Sequence, residues 1–99
     1  MKMKVQSIHF TADQKLLDFI QEKVDKLTHY HDQIIGGEVF LKLDKAENSE
    51  NKITEIKLQI PGKVLFAKEK RKTFEEATDL AVEALGRQVK RHKEKTKGL

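Results

Sequence analysis

The chain has 99 residues, enough for one domain over residues 1–99 with a modest hydrophobic core. The absence of cysteine excludes disulfide bonds and thiolate metal sites. No signal peptide is visible and no apolar run is long enough to span a membrane, so we expect a soluble, cytoplasmic protein without a membrane partner. Residues 1–50 carry seven Lys and nine acids, a net of −2, but residues 51–99 carry thirteen Lys or Arg and seven acids, a net of +6, which favours an anionic partner.

The N-terminal residues predict a strand followed by a helix. Met3 and Val5 alternate with polar neighbours, as in a half-buried strand. Thr11 and Gln14 have the spacing of a capping box, in which the hydroxyl accepts from the Gln14 amide. Apolar residues then recur at three- and four-residue intervals, which predicts a core-facing helix from Thr11 to about Tyr30.

The middle of the chain predicts three strands separated by turns. Gly36-Gly37 breaks the helical pattern, and alternating apolar residues then indicate strands over Glu38 to Asp44, Glu55 to Ile60 and Val64 to about Lys68. The polar segment from Asp44 to Lys52 predicts an exposed hairpin loop, and Pro61-Gly62 a tight turn.

The remaining residues, from Thr73 to Leu99, predict one long amphipathic helix. Thr73 and Glu76 form a second capping-box pattern. The buried face is predicted to consist of Phe74, Ala77, Thr78, Ala81, Val82, Leu85 and Val89. The resulting order β-α-β-β-β-α predicts an α+β two-layer sandwich, with a four-stranded sheet and both helices on one face. The first two strands are expected to be parallel, and the later pairs antiparallel.

The last helix changes character along its length. From Arg87 to Lys97 it has six cations and one acid. Arg87, Lys90 and Arg91 fall away from the apolar stripe, with Lys93 and Lys97 to one side and Lys95 near its edge. A second basic run lies before the helix, and two lysines project from the first helix. Lys and Arg bind phosphates through sequence-independent, salt-sensitive contacts. The candidate RNA-binding residues are Lys23, Lys26, Lys68, Lys70, Arg71, Arg87, Lys90, Arg91, Lys93 and Lys95.

The aromatic residues favour recognition of structured RNA by shape and phosphate. Phe40, Phe66 and Phe74 are interpreted as core residues, and no strand shows the paired exposed aromatics that stack single-stranded bases. His29 and His31 have no convincing partner for metal ligation. No nucleophile motif or phosphate loop is present, so we expect no catalytic residues, metal, cofactor or small-molecule substrate.

Taken together, several features resemble the ribosome hibernation promoting factor and ribosome-associated inhibitor family. They are the element order, Lys26-Leu27 and Tyr30 near the end of the first helix, Asp79, and the run from Leu85 to Lys95. The resemblance spans essentially the whole chain. Its most specific part is Arg87-Gln88-Val89 followed by the Lys/Arg-His-Lys tail.

The resemblance implies a non-enzymatic bacterial protein that binds the small ribosomal subunit between head and body. There it would overlap mRNA and the A- and P-site tRNAs and inhibit idle ribosomes in stationary phase or stress. The matching cations are Lys26, Arg87, Lys90, Arg91, Lys93 and Lys95. The implied fold is similar to a double-stranded RNA binding domain with an extra N-terminal strand. Without a second domain after Leu99, the chain resembles the short form of the family.

The chain departs from the family pattern at two positions, and two other functions could use the same residues. Glu75 stands where relatives often have an aromatic residue, and Ala84 where they often have Lys. A general structured-RNA binding module or RNA chaperone would use the same cations. A small ribonuclease would need a histidine as acid or base, and His29, His31 and His92 are the candidates. The resemblance also leaves open whether a helper factor joins the bound ribosomes into dimers.

Overall fold

The computed structural model describes residues 3–45 and 50–97, and it confirms the predicted α+β architecture. The elements are β1 (Lys4–Ser7), α1 (Gln14–Tyr30), β2 (Gly36–Leu43), β3 (Lys52–Ile60), β4 (Lys63–Arg71) and α2 (Phe74–Lys97). The strands form one sheet in the order β1-β2-β3-β4, with β1 parallel to β2 and the other pairs antiparallel. The predictions for residues 46–49 and for the last two residues lie outside the described residues.

Helix α1 begins three residues later than predicted, and the predicted capping box is wrong. Asp13 is the N-cap, and its carboxylate accepts a hydrogen bond of 2.8 Å from the Leu16 amide. The Gln14 side chain instead donates to Asp18 at 2.8 Å, one turn along the helix. An aspartate is as effective a cap as a threonine, so local spacing alone does not choose between the two registers.

The core lies between the sheet and the two helices. Alternate residues of the central strands, such as Val39, Ile56 and Leu58, are fully buried against the apolar stripes of both helices. At the same level, the hydroxyls of Thr54 and Thr78 lie 3.3 Å apart and form a buried hydrogen bond between β3 and α2. This packing holds α2 against β3 and β4.

Glycine is required at two points in the sheet. A Cβ at Gly37 would overlap the Lys57 carbonyl oxygen and the Met3 side chain, so the strands approach too closely there for any other residue. Gly62 has φ of +75° and allows the tight turn between β3 and β4, as the Pro61-Gly62 pair predicts. Gly36 and Gly37 lie inside β2 and do not form a separate turn.

The other side of the sheet faces away from the helices, and we call it the open face. One row of paired residues across its strands is Gln6, Phe40, Glu55 and Lys68, and the next is Lys4, Glu38, Lys57 and Phe66. The core assignment of Phe66 is therefore wrong, since 46% of the residue is exposed, and Phe40 is half-buried. Only Phe74 of the three predicted core phenylalanines is buried, stacked 5.2 Å from Phe10.

Candidate nucleic-acid interface

Helix α2 consists of two halves with different surroundings. The anchoring half, residues 74–86, begins with Thr73, whose hydroxyl accepts from the Glu76 amide at 3.1 Å, as predicted. It buries Phe74, Ala77, Ala81 and Leu85 against the sheet. The cationic half, residues 87–97, contributes Val89 to the core, and every Lys and Arg from 87 to 95 is exposed. The helix is therefore fixed at one end and presents charge at the other.

A groove lies between the cationic half and the start of β4. It has a volume of about 350 Å³ and is lined by Lys63, Leu65, Gln88, Arg91, His92 and Lys95. The Gln88 side chain donates to the Phe66 carbonyl oxygen at 3.1 Å, which ties this part of the helix to the edge strand. Arg91 and Lys95 follow Gln88 at three and seven residues, so they lie along the same side of the helix.

Lys63 is a member of this cluster that the sequence analysis missed. It follows the tight turn after β3, far in sequence from α2, and reaches the groove because β4 packs against that helix. The only available signal was its position beside a predicted turn, which does not indicate what it faces. The groove thus combines three cationic side chains with an imidazole, a set of groups that suits a phosphate anion.

The cations of the interface differ in whether they already form an ion pair with an acid of the same chain. Within residues 3–45 and 50–97, Lys90, Arg91, Lys93 and Lys95 form no ion pair. Arg87 is paired with Glu83 at 2.9 Å, four residues earlier on the same face of the helix. The four cations that form no pair can bind an external anion without first breaking an internal contact.

Three further candidates are engaged by acids on the helical side of the molecule. Lys23 Nζ lies 3.0 Å from Asp79 Oδ1, joining α1 to α2, and Lys26 lies 3.7 Å from Glu22 on its own helix. The Arg71 guanidinium contacts the Glu69 carboxylate at 2.9 Å and the Glu76 carboxylate, in the first turn of α2, at 3.9 Å. Exposed pairs of this kind contribute only about 0–1 kcal/mol, so an anion could compete for them at small cost.

Lys68 and Lys70 lie on the open face, away from α2. Consecutive side chains of a strand point to opposite sides, so the basic run of β4 is divided between the two faces of the sheet. Lys68 is 3.9 Å from Glu55, and Lys70 is 2.9 Å from Asp44. The structure therefore does not bring these two lysines together with the cations of α2.

Two other features bear on the chemistry of the surface. Burial lowers the pKa of His31 below its usual 6.5, the nearby Lys93 ammonium lowers it further, and Asp32 opposes both. A larger depression of about 560 Å³ on the outer side of α1 is lined partly by Asp18, Glu22 and Asp25, whose negative charge disfavours phosphate. In the part of the chain that the structure describes, no three His, Asp or Glu residues are arranged to hold a metal ion, and no helix is long and apolar enough to cross a membrane.

Comparisons with known proteins agree with this architecture. The family model described as Sigma 54 modulation protein / S30EA ribosomal protein matches residues 3–97. A ribosome hibernation promoting factor of Pseudomonas putida is 30% identical over 99 residues, covering 100% of this chain and 93% of that protein. A factor of the same name from Azotobacter vinelandii is 25% identical over 95 residues, and the match covers 96% of this chain and 85% of the Azotobacter protein.

Two solved structures share the fold. A ribosomal subunit interface protein from Coxiella burnetii superposes with a TM-score of 0.82 at 17% identity, over 94% of this chain and 98% of that one. The N-terminal domain of Protein Y from Thermus thermophilus gives a TM-score of 0.75 at 24% identity, over 91% of this chain and 94% of that domain. At these identities the likeness concerns the fold alone.

Proposed function

The chain belongs to the Sigma 54 modulation protein / S30EA ribosomal protein family, whose members include ribosome hibernation promoting factors, and we propose that it inactivates idle ribosomes by binding the small subunit. The family is one of non-enzymatic factors, which argues against a ribonuclease role for the histidines. The protein would act in the cytoplasm under stress or in stationary phase. Its α+β body would fill the path of mRNA and tRNA near the decoding region.

The observation that carries the proposal is the set of exposed cations on the cationic half of α2. Lys90, Arg91, Lys93 and Lys95 project from a helix that the sheet holds in place, and Lys63 adds a cation across the groove. A rigid row of cations suits the phosphates of folded rRNA, because less conformational entropy is lost on binding than with a disordered tail. Arg87, Lys23, Lys26 and Arg71 would contribute after exchanging their internal partners for phosphate.

The proposed mechanism is steric occlusion. Phosphate contacts fix the position of a protein on RNA without reading its sequence. Once the cationic half is fixed on rRNA, the packed domain excludes mRNA and tRNA from the volume that it occupies. No bond is made or broken in this scheme, so it requires neither a cofactor nor a small-molecule substrate.

Co-sedimentation with purified small subunits tests the proposal. The variant Lys90→Glu/Arg91→Glu should lose at least about tenfold in affinity, because it removes two proposed phosphate contacts. The slope of log K against the logarithm of the salt concentration should also become shallower, by roughly one for each lost contact. The matched control is Lys15→Glu/Lys45→Glu, which makes the same charge change at two exposed positions outside the proposed interface. Equal binding by the two double variants would show that the protein binds rRNA through a surface other than the cationic half of α2.

The same preparation separates the proposal from a general RNA-binding role. If the protein binds an arbitrary RNA duplex as tightly as it binds the small subunit, it is a structured-RNA binding module or RNA chaperone. Sucrose gradients of lysates with and without the protein would also report whether bound ribosomes sediment singly or in pairs. Pairs that form only when another factor is added would identify a helper in dimerisation.

A further inference from the structure

The open face of the sheet carries exposed aromatic rings beside lysines. Phe66 on β4 is 46% exposed, and its register partner on β3 is Lys57. Phe40 on β2 lies on the same face, with the Lys57 ammonium 5.8 Å from its ring centroid. Lys68 follows Phe66 by two residues, so it lies about 7 Å farther along the same face. The arrangement places a cation between two rings and another beside them.

The open face is also positively charged overall. It carries five lysines, namely Lys4, Lys42, Lys57, Lys68 and Lys70, against Glu38 and Glu55 on the strands and Asp44 at the rim. Lys42 and Lys68 share one carboxylate, that of Glu55, at 3.0 and 3.9 Å. Among the described residues, Lys4 and Lys57 form no ion pair. The excess charge disfavours a second copy of this face and favours an anionic ligand.

We propose that the open face binds single-stranded RNA, with a base stacked on Phe66 and the backbone along Lys57 and Lys68. A ring exposed beside cations can accept an unpaired base, whereas a duplex keeps its bases inside. The site goes beyond the proposed ribosome-binding role, because it lies across the sheet from both helices. The protein would thus have an RNA-binding surface on each side of the sheet.

The chain contains no tryptophan, which allows a direct optical test. The full chain with Phe66→Trp has a single indole at the proposed stacking position, and a 12-nucleotide oligouridine should quench its fluorescence saturably and less at high salt. The matched control is Tyr30→Trp, at a residue that is 76% exposed near the end of α1. Equal quenching of both variants, or none in Phe66→Trp, would overturn the proposal.

A second pair of variants separates stacking from simple apolar contact. In fluorescence anisotropy with labelled oligouridine, Phe66→Leu should weaken binding by about 5- to 150-fold, the range measured for loss of one stacked base, whereas Phe66→Tyr should retain it. Lys57→Ala should weaken binding as well. Wild-type affinity in Phe66→Leu would refute stacking, and a Phe66-dependent dimer in sedimentation velocity would assign the face to a second copy.

The two proposals fail in different measurements. Lys90→Glu/Arg91→Glu introduced with Phe66→Trp should lose subunit binding and keep its quenching by oligouridine. Phe66→Leu alone should lose oligouridine and keep the subunit. If the charge reversal on α2 removed oligouridine binding while Phe66→Leu left it unchanged, the oligonucleotide would be binding to the cationic half, and the open-face site would be wrong.

Discussion

The two halves of α2 continue the same apolar stripe but have opposite surface charges. Residues 74–86 carry four acids and no Lys or Arg, whereas residues 87–97 carry six cations and one acid. In the anchoring half, Glu76 and Asp79 pair with Arg71 and Lys23 from other elements. In the cationic half, four of the exposed cations have no such pair within the described residues.

In α2 an acidic segment decides which of the neighbouring cations remain available to a ligand. The acids of the anchoring half pair with nearby cations of α1 and β4, and such exposed pairs contribute about 0–1 kcal/mol each. The cations beyond the reach of these acids form no ion pair within the described residues and can bind an external anion. Stability and binding are therefore assigned to different parts of one continuous helix, and the two should respond separately to mutation.

A core truncation in the anchoring half should change the protein most strongly. Leu85 is fully buried, so Leu85→Ala should lower the free energy of unfolding by about 2–5 kcal/mol through lost burial and the cavity left behind. Urea denaturation measures this change. Under conditions where the variant remains folded, its affinity for the small subunit should be close to that of wild type.

The control is an exposed lysine in the cationic half. Lys93→Ala should change stability by no more than about 0.5 kcal/mol, as surface substitutions usually do, while weakening subunit binding. If Lys93→Ala proved as destabilising as Leu85→Ala, or if the folded Leu85→Ala variant lost the subunit, then the division between anchoring and binding would not exist.

A smaller effect is expected at the junction of the two halves. A Cβ added at Gly86 would lie 3.8 Å from Leu27 Cδ1 and 3.9 Å from His31 Nε2, which is ordinary van der Waals contact. Gly86→Ala should therefore stabilise the protein by about 1 kcal/mol, the difference in helix propensity. Thermal unfolding would show this as a rise of roughly 4–8 °C for a domain of this size.

The opposite result at Gly86 would also be informative. A lower melting temperature for Gly86→Ala would mean that the helices approach more closely at this point than the distances indicate. The glycine would then be required for packing between α1 and the junction, and the two halves would be coupled through it.

Periodicity predicted the strands and both helices because each buries one regular face. It predicted β4 as a strand but not which of its faces is buried, because apolar residues occupy both: Leu65 and Ala67 are buried under α2, whereas Val64 and Phe66 are exposed. A strand pattern does not indicate which face a helix will cover.

The candidate site was predicted in part for a similar reason. The sequence identified every cation of α2 from residues 87 to 95, since they lie on one helix. It did not reveal that Lys23 pairs with Asp79, that Lys68 lies across the sheet, or that Lys63 lines the groove. These facts depend on tertiary packing, and the roles in RNA binding remain predictions.

A weak pH dependence of stability should arise where α1 ends beside the cationic half. Because burial and Lys93 lower the pKa of folded His31 below 6.5, the unfolded chain binds its proton more readily than the folded one. The contribution of this residue to stability is therefore complete above about pH 6.5 and is lost as the pH falls through that value towards the folded pKa. His31→Gln should show a flatter decline of melting temperature between pH 7 and 5.5.

The matched control for that measurement is His29→Gln, an exposed imidazole on the last turn of the same helix. A second variant, Lys93→Ala, keeps His31 but removes the neighbouring ammonium that disfavours its protonated form. It should flatten the decline partly, because burial alone then lowers the pKa. If Lys93→Ala left the slope unchanged while His31→Gln flattened it, the charge of the cationic half would not affect the end of α1, and burial alone would lower the pKa of His31.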